Sequence, residues 1–179
     1  MTAPVVIREL TPDDYPWLLA LIDANRAERL SATERASQGF VQGVWNEAAL
    51  QRLSTGPGLL LAELDGMRAG AALSSPPGAV TDGPAGRTNV IAREAFGDDG
   101  YFLYGPVIVA AAFRRRGVLR ALSAALLART AARYPAAVAF VQQDNQASLA
   151  THRALGWQEL APFTLEDGRR FVVLSLPTG

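Results

Sequence analysis

The chain contains no cysteine and no lysine, and histidine occurs once in its 179 residues. Each absence removes chemistry. A Schiff-base lysine, a phosphate-loop lysine, a thiol nucleophile, zinc–cysteine clusters and multi-histidine metal centres are all excluded. Without cysteine there is no disulfide framework, which agrees with a reducing compartment. Charge bias is missing too, with 17 arginines against 17 acids. General attraction to nucleic acid or an anionic membrane is therefore not indicated. No apolar run approaches bilayer length. The opening MTAPVVIREL carries Arg8 and Glu9 directly after a short apolar run, unlike a signal peptide. The expectation is one cytoplasmic domain, residues 1–179, with a core of ordinary size.

The residues that are present organise around Tyr101 to Arg133. An apolar run broken by Gly105-Pro106 predicts a strand with a bulge, since proline cannot donate to a ladder. A small-residue turn follows Val109, then Arg114-Arg115-Arg116-Gly117. Val118, Leu119, Leu122 and Leu126 then recur at helical spacing. A strand, a basic turn and a helix start leave unpaired N–H groups at the positive end of a helix dipole. A phosphate fits there, Gly117 allows close approach, and the arginines add charge; the alternative is a solvated basic face.

Upstream, Val5 to Leu10 alternates as a short strand. Thr11-Pro12-Asp13-Asp14 reads as a helix start, with Tyr15, Leu18, Leu19 and Ile22 as its buried face. Ala24 to Trp45 has a weak pattern and reads either as a helix-loop over the core or as a pocket wall. Asn46 to Leu53 predicts a short helix ended by Gly56-Pro57-Gly58. Leu59 to Leu64 and Met67 to Ser74 flank Asp65-Gly66 as a hairpin. Pro76 to Gly100 reads as a long connection, functional or loosely ordered. Ala137 to Gln142 predicts a strand, and Phe163 to Glu166 with Phe171 to Leu176 bracket Asp167-Gly168 as a closing hairpin. The order β, α, α, β, β, β, α, β, α, β, β disfavours a uniformly parallel sheet and a flavodoxin-like phosphate binder.

Between the last strands, Asn145, Ser148 and His152 share one helix face, and Gly156-Trp157 follows at the expected helix stop. Asn145 serves equally as a cap, Ser148 as a tolerated polar residue and His152 as a satisfied core histidine.

Arg114-Arg115-Arg116-Gly117-Val118-Leu119 resembles the Q/R-x-x-G-x-G/A loop of the GNAT superfamily of N-acetyltransferases, with Leu119 departing at the last position. Asn145, Ser148, His152 and Gly156-Trp157 resemble that superfamily's later pattern, with His152 where tyrosine is usual. The resemblance extends over nearly the whole chain in element order. It implies an α/β (α+β type) fold with a mixed, largely antiparallel sheet of six to seven strands flanked by helices, splayed between the strands at Tyr101 and Ala137. It further implies acetyl-CoA (coenzyme A) as cofactor, with its pantetheine arm on main-chain groups of Ile108 and Val109. The pyrophosphate would sit at Arg114, Arg115, Arg116, Gly117, Val118, Leu119 and Arg120, and Asn145 and Ser148 would line the site.

On this resemblance the activity is transfer of an acetyl group to the amine of a small molecule or peptide. The Val109 N–H would be the oxyanion donor and His152 the catalytic acid toward the departing thiolate. A thiol titrates near ~8.5 and imidazole near ~6.5, so imidazolium is acidic enough, and activity would fall at alkaline pH. No general base is evident; Glu34 is a candidate only by position, and Tyr104 either lines the acyl site or packs. The alternative is a non-catalytic acetyl-CoA-binding or sensor domain. The acceptor is unassigned, neither nucleic acid nor membrane is an expected partner, no metal site is expected, and a homodimer is left open.

Overall fold

Asp65 and Gly66 both have positive φ, +55° and +73°, the mirror-image turn that suits a two-residue hairpin. They join β2 (Leu60–Leu64) to β3 (Met67–Ser75) in a computed structural model that describes residues 4–179. Met1 to Ala3, the head of the N-terminal segment read above, lie outside the described residues. β1 (Val6–Glu9) pairs antiparallel with β2, and β3 pairs antiparallel with β4 (Tyr101–Val109). Ala72 faces Val107 and Ser74 faces Tyr104, so β4 holds one extra residue at Gly105-Pro106. The bulge lies where the sequence places it.

The second half of the sheet is built from β5 (Ala136–Gln142), β6 (Gln158–Thr164) and β7 (Arg170–Pro177), with β7 between the other two. The seven strands run in the order β1-β2-β3-β4-β5-β7-β6. Among the described strands of the sheet only β4 and β5 pair in parallel, over Tyr101, Phe102 and Leu103 against Ala136, Ala137 and Val138. Beyond them β4 stays with β3 as far as Val109, while β5 stays with β7 as far as Gln142. The sheet therefore opens into a V along residues 104–109 and 139–142. The mixed, mainly antiparallel sheet and the splay are both as expected.

Among the described residues six α-helices flank it: α1 (Tyr15–Ala24), α2 (Ala32–Gln38), α3 (Glu47–Leu53), α4 (Gly83–Phe96), α5 (Val118–Thr130) and α6 (Gln146–Ala154). One departs from the sequence reading. The connection Pro76 to Gly100 is occupied by α4, whose inward face is Gly86, Thr88, Asn89 and Ala92 in place of an apolar stripe. Asn89 Oδ1 accepts from the Tyr101 hydroxyl at 2.7 Å, so polar pairing replaces the periodicity that normally announces a helix. Within Ala24 to Trp45, α2 forms because Ser31 and Glu34 close a reciprocal capping box. The Thr11 start is also refined: Pro12–Asp14 form a 3-10 turn, and α1 begins at Tyr15.

The helices divide by face. α5 and α6 cover the face carrying Phe102, Tyr104, Ala137 and Val141. On the other face, α1 and α3 bury Leu18, Ile22 and Leu50 against Leu61, Leu73 and Ile108, and α4 covers Tyr101, Leu103 and Val138. Among the described residues no helix is long and apolar enough to cross a membrane.

Candidate functional site

The first lip of the V is β4 and the turn after it. The Ala110 N–H still bonds back to the Ala69 carbonyl at 2.9 Å, and Ala111–Phe113 make one 3-10 turn. Arg115 (φ +62°) and Gly117 (φ +82°) then turn the chain into α5 through left-handed conformations. The first helical bond is Ala121 N–H to the Gly117 carbonyl. Among the described residues, no backbone N–H from 115 to 120 has a protein partner, and no side chain caps the helix. The bare ring of donors inferred from the sequence is present, and no atom lies within 4 Å of where a Gly117 Cβ would stand. Gly70 seats it. A Cβ there would meet the Ile108 carbonyl oxygen at 2.7 Å and the Val118 and Leu122 side chains at 3.2 Å. The sequence reading missed this position, for which a glycine inside a strand is the signal.

The arginines divide in role. Arg114 spends its fork within the chain: Nε donates to the Val109 carbonyl at 3.3 Å, Nη2 to Asn25 Oδ1 at 2.9 Å, and Nη1 to Gln38 Oε1. Arg116 pairs with Asp65 at 2.8 Å and lies over the Phe113 ring. Arg115 and Arg120 are exposed and form no ion pair among the described residues, so they are the cations available beside the bare amides. Leu119 is half-buried.

The second lip is the end of β5 and α6. Asn145 is buried; its Oδ1 caps the Ser148 N–H at 3.3 Å, and its Nδ2 donates to the Phe40 carbonyl at 3.1 Å. Gly39 packs so closely on it that a Cβ would stand 2.7 Å from Asn145 Oδ1. Asn145 is thus a cap and, in addition, a strut to the segment after α2. Gly156 stops α6 with φ +89°, as expected.

His152 sits half-buried at the edge of an aromatic group, its ring centroid 5.1 Å from Trp157 and 6.2 Å from Tyr104. Nδ1 lies 2.8 Å from the Ser148 carbonyl. A carbonyl only accepts, so Nδ1 carries the proton and Nε2 of the neutral ring is a lone pair. Nε2 has no partner among the described residues and is not sealed from solvent. Burial lowers the His152 pKa, and the Ser148 bond opposes this less strongly. The sequence suggests a ready acid, whereas the lowered pKa leaves the ring neutral at neutral pH. Tyr104 packs: it is buried, its ring stands 4.8 Å from Trp157, its hydroxyl bonds Ser123, and burial pushes it up to about 12. Glu34 lies on the surface, where its carboxylate takes the Ser31 N–H and hydroxyl at 2.8 and 2.7 Å.

A roof joins the two lips. The Val41 N–H bonds the Asn25 carbonyl at 2.8 Å, and the Trp45 indole donates to the Gln42 carbonyl at 2.9 Å. Val41 and Trp45 pack on the cluster that contains Ile108 of β4, while the Gln42 amide Nε2 reaches Gln142 Oε1 at the end of β5. Of the two readings of Ala24 to Trp45, the wall over the splay fits its latter part. Two surface clefts, of about 460 and 370 Å³, flank β1 instead, lined in part by Trp17, Glu63 and Met67 and by Ile7, Leu60 and Arg129. Their lining is drawn from β1 and its surroundings, and it includes Arg8, already ion-paired, so the chemistry is assigned to the V.

With this geometry in hand, comparison with solved structures is decisive for the fold. Ribosomal-protein-alanine N-acetyltransferase from Brucella melitensis matches at 22% identity, with 96% of this chain and 99% of that chain covered and a TM-score of 0.66. A GNAT-family acetyltransferase from Streptococcus pneumoniae matches at 15% identity over 98% and 100%, TM-score 0.62. A Salmonella typhimurium protein solved with its cofactor acetyl-CoA matches at 17% identity over 99% and 95%, TM-score 0.63. No protein-family profile and no curated protein sequence matches the chain. The fold is the GNAT acetyltransferase fold, held over essentially the whole chain.

Proposed function

We propose that the protein is an acetyl-CoA-dependent N-acetyltransferase that acts on the primary amine of a small molecule or of a peptide N-terminus. One observation carries the reading: six consecutive backbone N–H groups, from Arg115 to Arg120, stand unpartnered at the mouth of a sheet that opens between β4 and β5. These groups, with Arg115 and Arg120, suit a diphosphate. The Ile108 main chain pairs with Ala71 across the β3–β4 ladder, so Val109, whose main chain turns away from β3, would be the group left to hold the pantetheine arm, and Asn145 and Ser148 would shape the opposite lip. Arg114 contributes indirectly, by fixing the roof.

When bound, acetyl-CoA supplies an activated acyl carbon and a good leaving group. The Val109 N–H is assigned as the oxyanion donor. His152, neutral at rest, would take at Nε2 the proton that the amine sheds and hold it as imidazolium, ready for the departing thiolate. Its lowered pKa makes the transient imidazolium a stronger acid than a free one, which favours giving the proton up. An alanine-led peptide is a reasonable first acceptor, because one structural neighbour is a ribosomal-protein-alanine N-acetyltransferase.

A second reading, a non-catalytic acetyl-CoA binder, is favoured by the run Tyr101 to Val109, which holds no carboxylate to act as base. Calorimetric titration with acetyl-CoA, followed by thiol release over an alkyl monoamine, an amino sugar and an alanine-led tripeptide, separates the two. Binding with turnover supports the enzyme; binding without turnover supports the sensor. Failure to bind acetyl-CoA overturns both.

A further inference from the structure

The stop of α6 does more than end a helix. Gly156 turns the chain back so that the Trp157 N–H bonds the His152 carbonyl at 3.1 Å, while the Gly156 N–H bonds the Arg153 carbonyl at 3.0 Å. This crossed pair of bonds is the glycine stop that sets the side chain just past the turn against one from the helix's last turn. Two apolar residues normally make that contact. Here the inner residue is the only histidine of the chain.

Trp157 is buried, and its ring stands 5.1 Å from the His152 ring at an interplanar angle of 76°. Tyr104 closes on both, 6.2 Å from His152 at 81° and 4.8 Å from Trp157, and its hydroxyl is tied to Ser123 of α5. Two nearly perpendicular rings therefore crowd the imidazole. A half-turn about its Cβ–Cγ bond, which takes Nδ1 off the Ser148 carbonyl, has to push past them. Once the ring is off that carbonyl, nothing fixes the proton at Nδ1. Charged groups around α6 are engaged elsewhere. On α2, which packs on α6, Glu34 is bound at Ser31, and Arg35 donates to the Ala27 and Leu30 carbonyls. Arg153 pairs with Glu159, Asp144 takes the Gln142 amide, and Tyr104 is neutral.

We propose that Trp157 is a positioning residue of the transfer: through the α6 stop it holds the His152 ring with Nδ1 on the Ser148 carbonyl and Nε2 left free for the proton. This rests on the transferase reading. The gain is one of orientation, since a ring that flips is idle for part of its time. The same indole keeps water from the imidazole, so its removal also relaxes the burial that disfavours the cation.

Because His152 is the only histidine, nitrogen-15 NMR of the unliganded protein reads its two ring nitrogens without ambiguity. Wild type shows one tautomer, protonated at Nδ1. In Trp157→Leu a mixture of tautomers appears, the pKa rises toward 6.5 as water reaches the ring, and the acid limb of kcat moves up with it. The plateau kcat falls by roughly tenfold, while the acetyl-CoA Kd from calorimetry stays within about twofold of wild type. Trp157→Phe restores the tautomer, the pKa and most of kcat. Phe163→Leu, a comparably buried truncation on the opposite face of the sheet, lowers the melting temperature but leaves the His152 tautomer and pKa as they were. Trp157→Met repeats the test should the leucine variant not fold. A wild-type ring protonated at Nε2, or a tautomer and acid limb unmoved by removal of the indole, overturns the assignment. If the wild-type protein turns over none of the panel amines, the transferase reading itself has failed and this assignment falls with it. An active wild type matched in kcat by Trp157→Leu sinks this assignment alone.

Discussion

Arg114 and Asn25 stand 89 positions apart in the chain and are joined by a 2.9 Å hydrogen bond. The first arginine of the basic turn is therefore a clamp between the end of β4 and the roof, not a free cation. Arg114→Ala is expected to cost about 2 kcal/mol of stability, because buried partners of a charged donor are left unmade. Arg115→Ala and Arg120→Ala should leave stability unchanged and weaken acetyl-CoA in a salt-sensitive way. Denaturant unfolding and calorimetry at two ionic strengths separate these effects; a stability loss confined to Arg115 would reverse the assignment.

Gly117 and Gly66 make a matched pair. Both have positive φ, +82° and +73°, and both have open space where a Cβ would stand. Alanine at either should cost about 1 kcal/mol of backbone strain. Only Gly117→Ala should also weaken acetyl-CoA, by roughly tenfold, since only there does the backbone meet the ligand. Equal affinities for the two variants would remove Gly117 from the binding site.

His152 is expected to set the pH response. Because the folded-state pKa lies below the ordinary 6.5, activity that needs the Nε2 lone pair falls on the acid side of that folded value. Stability follows the same sign: the unfolded chain takes up the proton first, so stability declines as pH drops below 6.5 and levels off below the folded value. His152→Phe should lower kcat far more than acetyl-CoA affinity and abolish the acid limb. A pH–rate profile identical in wild type and His152→Phe would return the residue to a packing role.

Asp14 anchors the N-terminal strand. It is buried, and accepts from Arg8 at 2.7 and 3.0 Å, from Arg68 at 2.8 Å, and from the Thr11 N–H and hydroxyl. The Arg8 guanidinium foremost holds its carboxyl well below the usual 3.8. The depressed value means that this stabilisation is full above pH 3.8 and is lost as pH falls toward the folded pKa. Asp14→Ala should cost about 2 kcal/mol, reduced from a fully buried pair because both arginines remain partly exposed. Chemical denaturation at pH 7 and pH 3 checks both statements: the variant's deficit should shrink at the lower pH.

What the sequence revealed follows what local rules can carry. Asp65-Gly66 and Asp167-Gly168 announced their turns because left-handed pairs need such residues, and Gly105-Pro106 announced its bulge because proline breaks a ladder. The arginine turn and Asn145 disclosed both lips for the same local reasons. Helix α4 was hidden because its inward face is Thr88 and Asn89, whose partners are distant and invisible to periodicity. The roof was one of two open readings, but its links were hidden likewise: Gln42 with Gln142 and Asn145 with Phe40 are about a hundred residues apart. The neutral state of His152 required knowledge of the Ser148 carbonyl and of the burial around the ring, neither of which spacing encodes.

The short parallel seam has a further consequence. A ladder that closes at Leu103 and Val138 and then parts creates two inward-facing borders within a single sheet. Borders of that kind invite any extended chain to slot in as a surrogate strand, the hazard that leads exposed sheets to stick together. Here the gap is shielded on one side by aromatic rings and on the other by a strap of amides. An extended guest laid into that gap would meet main-chain donors and acceptors along its length, as a missing strand would.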